Sequence, residues 1–247
     1  MKNLTLEYYY SMRLLITIAF FFGFTCVNAQ QDSSIIFIPA GKTLSDVVTP
    51  GKIYRFPNFK QGKVFFRDGT ITSANLNYNF LNGHIEFISS NGDTLALVKE
   101  QILNLKTVII DSSRFYYHPV YGYMEQIANN EAGKILKKQD YKVFKREKIG
   151  GYEQPSSTTA IESYSSFTNV DGSILTTLSV RENVALKRVK LYFFGDQYNT
   201  FLPANKKNLL RLYPKSKAQL QSYLHKNEVD FNDEKDLKKL IALLEPE

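Results

Sequence analysis

Hydrophobic and polar positions alternate with a period of two through the middle of the chain. Ala74, Leu76, Tyr78 and Phe80 fall on one side, and Asn75, Asn77 and Asn79 on the other. That is the pattern of a strand with one buried and one wet face. A one-residue slip would exchange the two sets, so the pattern predicts a firm register. Three Asx-Gly pairs, Asp68-Gly69, Asn82-Gly83 and Asn91-Gly92, punctuate the same region. Such pairs supply the positive φ angles that tight hairpins need. The stretch 53–108 therefore reads as an antiparallel meander, with strands near 63–67, 74–80, 84–88, 94–98 and 105–110.

Beyond it the periods blur. Residues 115–124 hold the densest aromatic run, Phe115-Tyr116-Tyr117-His118-Pro119-Val120-Tyr121-Gly122-Tyr123-Met124. Its tyrosines share a face only if Pro119 and Gly122 break the run. Residues 133–148 carry seven Lys or Arg among apolar positions of no clean period, which reads as an edge strand or hairpin guarded by lysines against pairing with other chains. A Gly-, Ser- and Thr-rich loop spans 150–160. Further strands are expected at 174–181 and 187–194, with Leu191-Tyr192-Phe193-Phe194 central to the core.

After Gly195 the spacing turns helical. Residues 206–213 place Leu209, Leu212 and Tyr213 on one side, and Pro214 ends the run. Leu220, Tyr223 and Leu224 mark a second helix, and Leu237, Leu240, Ile241 and Leu244 a third, capped by Asn232 or Asp233. Strands first and helices last predict the α+β class: an antiparallel, meander-type β domain over 30–200, followed by about three short C-terminal helices over 201–247 that pack on it.

One apolar run has no place in that domain. Met12-Arg13 precedes Leu14 to Phe22, and Val27-Asn28-Ala29 follows. A basic start, a short apolar middle and a small-residue end are the parts of a removable signal peptide, here residues 1–29. The run falls short of the roughly 20 apolar residues of a membrane-spanning helix. Met12 is the natural start of such a leader. Cleavage after Ala29 removes Cys26, the single cysteine, so the mature chain has neither disulfides, thiol catalysis nor cysteine-held zinc. The expected location is exported: periplasmic, outer-membrane-associated or extracellular.

The formal net charge is +7, and Lys2 and Arg13 against Glu7 leave nearly all of it in the mature chain. An excess of that sign favours anionic partners. The partner expected is an envelope protein or an anionic envelope polymer, with membrane association at most peripheral and no nucleic acid. Lys206, Lys207, Arg211, Lys215 and Lys217 form the candidate basic patch. Tyr116, Tyr117, His118, Tyr121 and Tyr123 form the candidate binding cluster, because a tyrosine ring packs while its hydroxyl bonds.

Catalytic motifs do not appear. The chain has no Gly-x-Ser-x-Gly, His-Glu-x-x-His, dinucleotide-binding or phosphate-binding signature. Its three histidines, His84, His118 and His225, stand far apart, and no metal or cofactor is expected. Carboxylate pairs such as Glu125 with Glu131, or Asp93 with Glu100, leave a glycan or peptide hydrolase as the alternative to a non-enzymatic binding or assembly module. An outer-membrane barrel is disfavoured by the charged helical tail.

Gln30-Gln31 after Ala29, the stretch 62–69, Leu76-Asn77-Tyr78-Asn79, Asn91-Gly92-Asp93-Thr94-Leu95, and the tail from Leu209 to Leu244 are similar to secreted Bacteroidota proteins of unassigned function. The resemblance implies export and a β-rich body with a helical end. It implies no reaction.

Overall fold

The computed structural model describes residues 34–148 and 182–245. The leader, the loop at 150–160 and the expected strand at 174–181 lie outside them. Among the described residues, eleven strands form one antiparallel sheet: β1 (Ile35–Ile38), β2 (Lys60–Phe66), β3 (Ile71–Asn79), β4 (His84–Ile88), β5 (Thr94–Ala96), β6 (Leu105–Ile110), β7 (Ser113–His118), β8 (Gly122–Asn129), β9 (Gly133–Lys148), β10 (Glu182–Asp196) and β11 (Phe201–Pro203). Short helices α1 (Leu44–Val47), α2 (Pro50–Ile53) and α3 (Lys99–Leu103) interrupt the strands. Helices α4 (Lys206–Leu212), α5 (Lys217–Lys226) and α6 (Glu234–Ile241) follow them. The chain is α+β, mostly antiparallel sheet.

The three Asx-Gly hairpins form where expected, and Gly69, Gly83 and Gly92 all take positive φ. The strand order is β1-β10-β9-β8-β7-β6-β2-β3-β4-β5, with β11 beside β10. Two meanders, β2 to β5 and β6 to β10, are thus joined where β2 pairs with β6. The sheet also curls back on itself. Tyr141 N–H donates to the Phe80 carbonyl at 2.9 Å, and the Tyr78 hydroxyl donates to the Gln139 carbonyl at 2.8 Å.

Register assigns the faces, since paired residues share one. Val108, Phe115, Tyr123, Leu186, Tyr192 and Phe194 all stand on the inner face. Leu76, Tyr78, Val108, Ile110, Phe115, Tyr123 and Leu186 belong to one buried cluster. At the other end of the same face, Ile135, Tyr192 and Phe194 pack against Leu209, Leu220, Leu237 and Leu240 of α4, α5 and α6. Each helix is too short to persist alone, so this shared core holds all three. Asp233 caps α6 by accepting from the amides of Lys235 and Asp236. The opposite face carries a smaller cluster of Tyr116, Met124, Leu136, Phe193 and Phe201.

Three expectations need correction. Asn77 is only 1% exposed and Asn79 is buried too, leaving Asn75 as the wet one. Segment 53–56 lies along the end of β3 and covers them. Asn77 Oδ1 accepts from the Phe56 amide at 3.1 Å and Nδ2 donates to the Phe56 carbonyl at 2.9 Å, so the amide is buried at little cost.

Second, β9 is an interior strand between β8 and β10, not an edge. A bulge opposite Ala185 and Leu186 breaks its period. Its lysines find local partners: Lys138 and Lys142 both reach Asp140 Oδ2, at 3.3 and 3.2 Å, and Lys137 reaches Glu234 at 3.3 Å. Third, Leu191 is 48% exposed, while Tyr192, Phe193 and Phe194 are buried on both faces of β10.

Candidate functional site

The candidate site lies on the inner face, over side chains of β2, β3 and β4. In the β2–β3 ladder Gly62 faces Ala74 and Val64 faces Thr72, and across β3 and β4 Leu76 faces Phe87. Leu76 fills the space beside Gly62, where a Cβ would stand 2.6 Å from Leu76 Cδ1. Beside it, α3 crosses the end of the sheet. The result is a cavity of about 490 Å³, within the usual range for small-molecule sites. Val64, Phe66, Ala74, Leu76, Phe87 and Leu97 supply its apolar lining, and Asp68, Thr70, Thr72, Glu100, Gln101 and Asn104 its polar lining.

Side-chain bonds hold α3 in place. Gln101 Oε1 accepts from the Val98 amide at 3.2 Å, capping the helix start. Asn104 Nδ2 donates to Asp68 Oδ2 at 2.8 Å, and the Asn104 carbonyl accepts from the Arg67 amide at 2.8 Å. Asp68 Oδ1 also accepts from the Thr70 amide at 2.9 Å. These bonds, from Thr70 first and then Asn104, keep the Asp68 carboxyl below its ordinary range. Val98 and Leu103 stand exposed at the two ends of α3.

The five candidate aromatic residues do not form one platform. Pro119 and Gly122 do break the run, with Gly122 at a φ of 74°, and β7 folds onto β8. Tyr117 and Tyr123 then meet edge to face on the inner side at 5.1 Å. Tyr116, His118 and Tyr121 lie on the opposite side: His118 stacks on Tyr121 at 4.5 Å, and Tyr116 tilts against Phe201 at 5.5 Å. Lys134 Nζ sits 5.0 Å above the Tyr116 ring. None of the five is exposed. The Tyr123 hydroxyl is buried without a hydrogen-bond partner among the described residues, and burial pushes its ionisation well above the ordinary tyrosine value. Burial likewise lowers the imidazole of His118.

The basic patch is placed as a surface feature. Lys206, Lys207 and Arg211 on α4, and Lys215 and Lys217 at the start of α5, are all exposed. None has an ion-pair partner among the described residues.

Two carboxylates are committed inside the fold. Glu125 takes a bidentate pair from Arg55, with Nε to Oε2 and Nη2 to Oε1 both at 3.0 Å, and a third bond from Ser113 at 3.1 Å. Glu86 accepts from the Tyr54 hydroxyl and from the amides of Asn79 and Asn82. Glu125 is thus bound to Arg55 rather than set against Glu131, which is exposed in the β8–β9 turn. Asp93 serves the β4–β5 turn, while Glu100 reaches the cavity. Among the described residues no three His, Cys, Asp or Glu side chains gather as a metal site would require, and no helix is long and apolar enough to cross a membrane.

The cavity was not visible in the pattern of residues. A small residue, Ala74, in a row of large ones was the available hint. Comparison with protein-family models, curated proteins and solved structures finds no match to this chain.

Proposed function

We propose that the protein is an exported, non-enzymatic binding module whose ligand site is the cavity between α3 and the inner face of the sheet. The observation that carries this reading is the cavity itself: an apolar floor with a few polar groups gathered at one rim. The leader pattern at 1–29 supports the reading of export. An envelope polymer or protein partner would meet the exposed lysines of α4 and α5, away from the cavity.

The hydrolase alternative has one observation in its favour, because Asp68 and Glu100 line the same cavity. Asp68, however, is held ionised by bonds to both oxygens, which suits a fixed charge and not a proton donor.

Binding of N-phenyl-1-naphthylamine, an uncharged apolar fluorophore, tests the reading. We expect saturable fluorescence enhancement with the parent chain and its loss in Ala74→Phe, which fills the floor. Absence of saturable binding, or its survival in a folded Ala74→Phe variant, would defeat the assignment. Mass spectrometry of the exported protein should find Gln30 as first residue; a retained, lipid-modified Cys26 would overturn the cleavage assignment.

A further inference from the structure

We infer that the cavity selects an apolar ligand with a neutral or cationic head and discriminates against a carboxylate of the same shape. This rests on the binding reading above. The floor, from Val64 through Ala74, Leu76 and Phe87, is hydrocarbon and aromatic and would accept any chain or ring that fits. Selection therefore happens at the rim.

The rim has the wrong sign for the molecule it belongs to. The chain carries 31 Lys and Arg against 24 Asp and Glu, yet the cavity is lined by two carboxylates, Asp68 and Glu100, and by no Lys or Arg. A positive molecule attracts anions from a distance. At this rim an arriving anion would meet two like charges, with no Lys or Arg in the lining itself. Like-charge juxtaposition is how sites reject a wrong ligand.

The two carboxylates play different parts. Asp68 already accepts from the Thr70 amide and the Asn104 side chain, so it acts as a negative charge held in a fixed position. Glu100 is exposed on the first turn of α3 and has no such bond among the described residues. It is the carboxylate free to approach a cationic head. The remaining polar groups are largely spent: Asn104 donates to Asp68, and the Gln101 oxygen holds the start of α3. A ligand carboxylate therefore has only uncharged donors, the Thr72 hydroxyl and the Gln101 amide nitrogen, to set against the repulsion, whereas an ammonium finds acceptors and an opposite charge.

The experiment is displacement of bound N-phenyl-1-naphthylamine from the full chain by decylamine, decanol and decanoate at pH 7, where the amine is protonated and the acid ionised. Decylammonium and decanol are expected to displace the probe at roughly tenfold lower concentration than decanoate, or about 1.4 kcal/mol. Glu100→Lys should close or reverse the gap between decylammonium and decanoate. Decanoate matching or beating the other two in the parent chain overturns the inference and leaves the binding reading intact. A probe that never binds overturns both. An unchanged order of affinities in Ala74→Phe would place the ligand elsewhere and overturn the assignment to this rim.

Discussion

The ring of Tyr213 occupies the space where a side chain on Gly133 would stand. A Cβ there would lie 2.6 Å from the Tyr213 hydroxyl oxygen, and that hydroxyl donates to the Gly195 carbonyl at 2.9 Å. Asp196, next to Gly195, pairs with Gly133 in the β9–β10 ladder. One tyrosine, following the last residue of α4, thus fastens the helical segment to two adjacent strands.

Gly133→Ala should therefore destabilise the protein by about 1–3 kcal/mol, the usual cost of overpacking. Tyr213→Phe should cost about 1 kcal/mol through the lost hydrogen bond. Urea unfolding followed by circular dichroism measures both. A Gly133→Ala variant as stable as the parent would mean that the α4 end is not seated against the strands as described.

Arg55 and Glu125 form the second such tie, joining the segment before β2 to β8. Glu125 is buried, while the Arg55 side chain is 35% exposed. Arg55→Met leaves the carboxylate with Ser113 alone and should cost about 1–3 kcal/mol, less than for a fully buried pair because solvent screens the exposed partner. Adding Glu125→Leu should recover much of the loss. Strictly additive single and double variants would show that the two side chains are not coupled.

Stability should also depend on pH above the carboxylate range. Burial lowers the imidazoles of His84 and His118 below the ordinary value of 6.5, with Glu86 partly opposing this at His84. A lower value in the folded state means that the unfolded chain binds more protons as pH falls below 6.5. Stability is then greatest above 6.5 and declines as pH drops toward the folded values. The carboxyls of Asp46 and Asp68, held below 3.8 chiefly by the amides of Thr43 and Thr70, add losses only in stronger acid. The melting temperature should fall between pH 7 and pH 5, and less so in His84→Gln. A parent curve flat across that interval would contradict the burial of these rings.

Asn130 anchors the far end of the chain. Its Nδ2 donates to the carbonyls of Ile241 and Leu244, at 2.8 and 3.2 Å, and its Oδ1 accepts from the amides of Ala132 and Gly133. Asn130→Ala should cost about 1–3 kcal/mol, since it leaves several of these groups unpaired. Deleting residues 232–247 should expose the apolar residues that α6 covers and lower solubility. Unchanged sedimentation of the truncated chain would indicate that α6 contributes nothing to the core.

Local chemistry was legible wherever the signal was short-ranged. Asp68-Gly69, Asn82-Gly83 and Asn91-Gly92 marked their hairpins because only a few residues tolerate positive φ. Leu209, Leu220, Leu237 and Leu240 marked their helices because a helical period exposes one face to a core. The burial of Asn77 was not legible, because what covers it is Phe56, whose backbone it bonds from twenty-one positions away. Nor was the interior place of β9, where Asp140 and Glu234 neutralise lysines that by themselves read as an exposed edge.

The candidate site divides along the same line. Five aromatic residues clustered in sequence were separated onto two faces by a turn at Pro119 and Gly122, since neighbours on a strand point opposite ways. Residues of the cavity stand far apart in sequence and were gathered by the β2–β3 and β3–β4 ladders and by α3.

By itself, then, the sequence determined the antiparallel character of the sheet, its hairpins and its helical end, because these depend on backbone preferences and on periods within a few residues. The tertiary structure alone decided which strand is interior, which asparagines are buried, and where β2, β3, β4 and α3 come together around a cavity with an acidic rim. Each of those depends on which distant segments pair, and pairing is settled by the summed burial and hydrogen bonding of the whole sheet.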